Sequence, residues 1–273
     1  MALSTGDLAS TVSPLSTPIA LDDSLVPAGL ARLLEGAEIL SLAALREFGT
    51  TLVVAPHPDD ESLGCGGLIA LLQDAGQAVW ALLVTDGSQS HPGSRRYDVA
   101  ARRALRDAEW QAALGWLGVP SARSIRLGLV DGDVPLRGNA HFGPAAQSLR
   151  RVLDEIRPAS IVLPWRRDPH PDHRATHALL EASIGPRPPL RCMEYMVWMA
   201  ERAAAADLPL PHEVRTWQLD IASVVDRKRR AIACHRSQLG ALITDDPGGF
   251  SLSSEMRCRA EAPVEYFFEQ RQR

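Results

Sequence analysis

Thr51-Leu52-Val53-Val54-Ala55-Pro56-His57-Pro58-Asp59-Asp60-Glu61 decides the fold, because a short apolar run ends abruptly in an imidazole and three carboxylates. A β-branched run of that length reads as a buried strand, and Pro56 stops it. A helical pattern follows at 66–74, then a second apolar run at 78–84 and a long helical pattern at 99–117. Strand, helix and strand in that order form the unit of a parallel sheet. Further along, the pattern predicts a strand near 124–127, a helix at 144–156 stopped by Pro158, a buried strand at 160–163 and a helix at 173–182. Strands at 191–199 and 214–221, a helix at 224–239 and a last strand at 264–268 complete it, with a short helix or loop over the Ala-rich stretch 200–206. The expected class is α/β: a mostly parallel sheet with helices on both faces.

Upstream of this unit, residues 1–25 read as a loose lead-in. Leu30, Leu33, Leu34 and Ala37, then Leu42 and Leu45, stand at helical spacing and predict one or two helices within 26–48. The division expected is an N-terminal extension at 1–48 and one domain at 49–273. The whole chain has 273 residues, 45% hydrophobic and 23% charged, enough to build a sizeable core. A net charge of -4 and a pI near 6.1 leave no electrostatic footprint for nucleic acid or an anionic membrane. Cys65, Cys192, Cys234 and Cys258 form no CxxC pair, so they read as reduced thiols rather than as a disulfide or thiolate-zinc framework. No apolar run reaches the roughly 20 residues of a membrane span, and the first 25 residues carry no Lys or Arg, unlike a secretory signal. A cytoplasmic location is the expectation. Lys228 is the single lysine among 29 basic residues, a bias typical of a GC-rich bacterial genome that bears on no mechanism.

The chemistry lies in two strings. The first follows the strand at 51–55; the second, Asp168-Pro169-His170-Pro171-Asp172-His173, follows the strand at 160–163. In an open α/β sheet, ligands bind outside the carboxyl ends of the strands, so both strings reach the same rim. Neutral imidazole and carboxylate are the ligands that zinc accepts without thiolate, and a catalytic site uses three of them with one position left for water. Pro56, Pro58, Pro169 and Pro171 stiffen both loops. His173 and His177, four apart on a helix, form an alternative ligand pair, but that pair leaves the first string without a task. Glu61 is either a fourth ligand or a carboxylate complementing the dipole of the helix it opens. His235 either lines the pocket or packs in the core, and Asp86 either holds the loop or meets a sugar hydroxyl. Gly64-Cys65-Gly66-Gly67 is no dinucleotide fingerprint, since Ile69 stands where the third glycine belongs; these glycines predict close packing of helix on sheet.

Ala55 to Glu61 together with His170-Pro171-Asp172-His173 resembles the LmbE-like, or PIG-L, family of zinc-dependent N-acetyl-sugar deacetylases. The resemblance extends to Arg106, Glu109, Ala113, Leu117 and Gly118, and to Lys228, Ala231, His235, Ser237 and Gln238, covering residues 50–240. It implies a Rossmann-like fold and one Zn2+ per chain, held by His57, Asp60 and His173. The donor set also suits other divalent metals. It further implies Asp59 as general base towards a metal-activated water, His170 as electrophile and general acid, and Asp172 as the residue orienting or charging the His170 ring. Arg106 resembles a substrate-binding residue, with an ion pair to Glu109 one helical turn away as the structural alternative. The implied partner is a small-molecule amino sugar or its conjugate, not nucleic acid or membrane. Alternatives are a metal-dependent hydrolase of a non-sugar amide or ester, and a zinc-bearing protein that binds sugar without turnover. Trp165, Arg166 and Arg167, just before the second string, are read as a clamp for a sugar face and an anionic aglycone, or else as a solvated basic turn.

Overall fold

A computed structural model of the protein describes residues 26–185, 190–240 and 242–271; the lead-in expected at 1–25 lies outside the described residues. Strand β2, Thr51–Ala55, is buried along its whole length. Its residues alternate between two cores: Val53 and Ala55 face one, Leu52 and Val54 the other. Strand β5, Ser160–Pro164, does the same with Val162 on the first side and Ile161 and Leu163 on the second. A strand apolar on both faces is stable only with helices on both sides. Those helices are α2 (Asp60–Asp74), α3 (Val99–Leu117) and α7 (Val225–Cys234) on the first core, and α4 (Phe142–Ile156) and α5 (Pro171–Ile184) on the second.

The sheet has eight strands in the order β1-β7-β8-β6-β5-β2-β3-β4. Here β1 is Glu38–Ile39, β3 Val79–Thr85, β4 Ser124–Leu129, β6 Arg191–Tyr195, β7 Val214–Asp220 and β8 Val264–Gln270. All neighbours run parallel except β8, which is antiparallel to both β6 and β7. Chain order reverses between β2 and β5, which are hydrogen-bonded neighbours. A crevice therefore opens at their carboxyl ends, where both His/Asp strings emerge.

Several boundaries differ from the sequence reading. Within 26–48 the chain forms α1 (Ala28–Glu35), the two-residue β1 and a 3-10 turn at Ala44–Glu47; β1 extends the sheet edge beside β7. Helix α2 starts at Asp60 rather than at 66 and breaks at Cys65, where φ is -147° and ψ 21°. The break exposes fresh N–H groups at the start of its second half, and Glu265 on β8 accepts from two of them, Gly67 N at 2.7 Å and Leu68 N at 2.8 Å. The same carboxylate accepts from the buried Lys228 Nζ at 2.7 Å. The glycines at the break are there for contact. A Cβ on Gly64 would stand 2.0 Å from the Tyr195 ring, and one on Gly67 2.5 Å from Ile221.

The strand expected to reach 199 ends at Tyr195, and Met199–Arg202 forms the one-turn α6. The helix expected to reach 239 stops at Cys234 and continues as a 3-10 turn, because Glu109 draws in Ser237 N at 2.7 Å and Ser237 Oγ at 2.6 Å. One helix escaped the sequence reading: α8, Ser254–Ala260, capped by Ser253 Oγ on Met256 N. No helix among the described residues is long and apolar enough to cross a membrane.

Candidate active site

His57 lies in the loop after β2, and Asp60 opens α2 three residues on. His173 sits in the first turn of α5, which Pro171 starts and the His170 side chain caps. Three atoms from these residues converge. His57 Nδ1 is 3.2 Å from Asp60 Oδ2, His173 Nε2 is 3.2 Å from the same oxygen, and the two nitrogens are 3.3 Å apart. Zinc–ligand bonds of roughly 2.0–2.1 Å in a tetrahedron place neighbouring donors about 3.3 Å apart, so both the donor set and its spacing fit zinc. The His57 backbone N–H fixes the shared oxygen at 2.7 Å. Burial disfavours charge on both rings, yet the facing carboxylates hold His57 above its ordinary value and His173 up to about 9. Burial likewise opposes the Asp60 charge, but the two rings keep its carboxyl well below the usual range.

Outer contacts orient the rings. His57 Nε2 meets Asp172 Oδ2 at 3.0 Å and Asp131 Oδ1 at 3.3 Å. Asp172 also accepts from Gly132 N at 2.8 Å. Its carboxylate thus orients His57 directly, and its charge also favours protonation of the His170 ring, which the resemblance implied that it orients or charges. His170 Nδ1 in turn accepts the Asp172 backbone N–H over 3.2 Å. That bond leaves the proton of a neutral His170 on Nε2. Burial first, then the charges of His57 and His173, press His170 down to about 4. Asp168 is fully buried; it accepts from His170 N and Trp198 N, both at 3.0 Å, and stands 3.1 Å from His173 Nδ1. From there Asp168 favours the protonated ring. Two further groups, His57 with His170 and His173, and His57 with Asp131 and Asp172, also bring ligand atoms within 4.8 Å. The set with Asp60 brings all three of its ligand atoms to 3.2–3.3 Å of one another.

Asp59 has a backbone φ of 134°, a conformation strained for any residue but glycine. Arg106 NH2 lies 3.3 Å from its Oδ2 and also binds the Pro58 carbonyl. Burial raises the Asp59 carboxyl to about 6, against the opposing charge of Arg106. Arg106 makes no pair with Glu109, which Ser237 occupies. Instead it lines a cavity of about 240 Å3 together with His57, Asp59, Asp60 and His170.

Other sequence candidates fall outside this cavity. His177 pairs with Glu194 at 3.1 Å, and His235 packs behind the loop, 3.3 Å from Ser62 Oγ. Glu61 is fully buried and accepts from Ser62 Oγ at 2.6 Å. Asp86 is a loop holder, accepting from Ser88 N and Asp131 N and paired with Arg103. The clamp expected of Trp165, Arg166 and Arg167 does not form. Trp165 is fully buried with Nε1 on the Asp207 carbonyl, while Arg166 and Arg167 pair with Glu194 and Glu213. Sequence reasoning passed over Asp131, Trp198, Phe250 and, as a pocket residue, Gln238, all of which line the cavity. Gln238 is fully buried, and its Oε1 has no hydrogen-bond partner.

Residues 52–184 match the family model described as PIG-L, GlcNAc-PI de-N-acetylase. A 1D-myo-inositol 2-acetamido-2-deoxy-alpha-D-glucopyranoside deacetylase of Mycolicibacterium vanbaalenii is 30% identical over 264 residues, spanning 81% of this chain and 90% of that one. A 2'-N-acetylparomamine deacetylase of Streptomyces fradiae is 25% identical, spanning 72% and 75%. Among solved structures, the N,N'-diacetylchitobiose deacetylase of Pyrococcus horikoshii shares the fold, with a TM-score of 0.56 at 24% identity over 72% of this chain and 76% of that one. With two strings at one sheet crevice and a relative matched over nine-tenths of its length, the chain belongs to the PIG-L, or LmbE-like, family.

Proposed function

We propose that the protein is a zinc-dependent hydrolase that removes an N-acetyl group from an amino sugar or its conjugate, with His57, Asp60 and His173 holding the metal. The observation that carries this reading is the triangle of His57 Nδ1, Asp60 Oδ2 and His173 Nε2, two of whose residues, His57 and Asp60, line a cavity with Asp59. It is supported by relatives named as deacetylases of acetylated amino sugars. Zinc, when bound, supplies a Lewis acid and brings the pKa of a water down to about 7.

The chain's own residues divide the remaining work. Asp59, raised to about 6, accepts a proton from the water that adds to the acetamide carbon. Arg106 holds that carboxylate in place from 3.3 Å. His170 presents Nε2–H to the cavity, because Nδ1 is committed to the Asp172 N–H, and so donates to the carbonyl oxygen as negative charge develops. As the C–N bond breaks, the nitrogen takes back the proton held by Asp59, leaving acetic acid and a free amine. Asp172 fixes the His57 ring through Nε2. We take 49–273 as the catalytic unit, with the preceding segment covering the sheet edge. A cytoplasmic location belongs to the same proposal, supported by four unpaired cysteines.

The test is metal content by elemental analysis of the parent and of His57→Ala and His173→Ala, beside amine release from N-acetylglucosaminides. The expected result is about one zinc per chain, as for a catalytic zinc site, lost in both variants together with amine release. A parent that neither retains zinc nor releases amine after reconstitution overturns the reading.

A further inference from the structure

Two cavities meet at two aromatic side chains, Trp198 and Phe250. The inner one, about 240 Å3, is lined by His57, Asp60 and Asp59; an open groove of about 470 Å3 adjoins it. They share Gln89, Ser90, Trp198, Arg202 and Phe250, so the groove adjoins the inner cavity along these residues. Trp198 is fixed on several sides. Its N–H is held by Asp168, its ring meets Phe250 in an edge-to-face contact at 5.4 Å, and the His170 ring stacks at 6.3 Å.

Over the Trp198 ring lies Arg202, its guanidinium carbon 3.8 Å from the ring centroid. Among the described residues no carboxylate pairs with Arg202. The acid of the groove, Glu201, is already bound to Arg259 at 2.8 Å and to Ser253 Oγ at 2.5 Å. A guanidinium held over an indole and without a carboxylate partner retains N–H donors that can take an anion by two hydrogen bonds. In the groove beside it, Phe250 and Pro92 are the apolar side chains, and Val197 and Leu252 line the inner cavity behind them.

We infer that the groove is an aglycone subsite for an aromatic group bearing an acid, with Phe250 and Pro92 receiving the ring and Arg202, seated on Trp198, the anion. The inference rests on the deacetylase reading and deepens it: the substrate is an N-acetylated amino sugar linked to an acidic aryl group. The acetamide and sugar occupy the inner cavity, and the linked ring lies in the groove.

The test compares kcat/KM of the zinc-loaded full chain on methyl, phenyl and 4-carboxyphenyl N-acetylglucosaminides, in both anomeric series. Phenyl exceeds methyl by about tenfold through ring burial and aromatic contact. Carboxyphenyl exceeds phenyl by about three- to fivefold, mostly in KM, as for a half-exposed ion pair. In Arg202→Ala the carboxyphenyl-to-phenyl ratio falls to near one; in Arg202→Glu it inverts, and Arg202→Lys keeps part of it. In Phe250→Ala the phenyl-to-methyl ratio falls. A merely structural role would lower all three substrates alike and leave the ratios in place. Equal rates on the three glycosides, or an Arg202→Ala ratio equal to the parent's, overturns the inference. Calorimetric titration with the amine product, 4-carboxyphenyl 2-amino-2-deoxyglucoside, reads the subsite without turnover. Binding that depends on Arg202 with no amine release from any glycoside sinks the deacetylase reading and leaves the subsite standing. Amine release without aglycone preference does the reverse.

Discussion

His57 Nδ1 and His173 Nε2 stand 3.3 Å apart although 116 residues separate them in the chain. Each ring is carried by the loop or helix following a different strand, and the strands β2 and β5 are direct neighbours. A cation held by both rings and Asp60 therefore ties the two halves of the crevice together. Zinc at a hundred times its Kd stabilises such a fold by about 2.7 kcal/mol, a rise in Tm of roughly 5–8 °C for a chain of this size. Thermal melts with and without zinc check it. The Asp60→Asn variant loses the shift, and a parent without a shift contradicts the tie.

Asp59 sits at φ 134°, where a side chain costs on the order of 1–3 kcal/mol relative to glycine. Asp59→Gly and Asp59→Ala remove the same carboxylate and leave Arg106 with the same missing partner, so their difference isolates the backbone. Asp59→Gly is expected to be the more stable of the two by about 1 kcal/mol or more. Both lose amine release by about two to four orders of magnitude, the contribution of a general base. Equal denaturation midpoints would show that the loop relaxes.

Gly64 and Gly115 give opposite signs for the same change. Gly64→Ala drives a methyl group to 2.0 Å from the Tyr195 ring and costs about 1–3 kcal/mol or more. It also shifts the turn that carries Asp60, so zinc retention falls with stability. Gly115 is exposed on α3 with nothing within 4 Å of an added Cβ, and Gly115→Ala gains about 0.5–1 kcal/mol. Denaturant midpoints of the two variants decide the matter.

His91 supplies a pH dependence away from the metal ligands. Burial lowers its pKa from 6.5, against the pull of Asp246. The folded state thus resists a proton that the unfolded chain accepts near pH 6.5. Its contribution is complete above that pH and is lost as pH falls towards the lowered value. The Tm of His91→Gln, relative to the parent, is expected to rise as pH drops from about 7 to about 5. A difference independent of pH would refute this origin.

The ligand strings were legible because metal chemistry restricts residue type and because each string follows an apolar strand. Asp131 was not, since its approach to His57 depends on β4 lying at the far end of the strand order, which no local pattern records. The tryptophans show the limit most clearly. Trp165 and Trp198 each have an arginine within a turn, yet Trp165 is fully buried against Phe268 while Trp198 faces the cavity. Periodicity cannot separate them, because what distinguishes them is which element packs over each ring. The break at Cys65 escaped for a similar reason: it is held by Glu265, 200 positions later in the chain.

Strand β8 is inserted between β6 and β7 and is antiparallel to both. During synthesis, which proceeds from the N-terminus, both ligand strings leave the ribosome well before it does. Until β8 arrives, β7 and the β1 strand paired to it have no place in the sheet, and the second half of α2 lacks the Glu265 carboxylate. A nascent chain halted after α7 therefore carries every proposed metal ligand but not the support that fixes the first string. The late strand delays assembly of the centre until the sheet is closed from within.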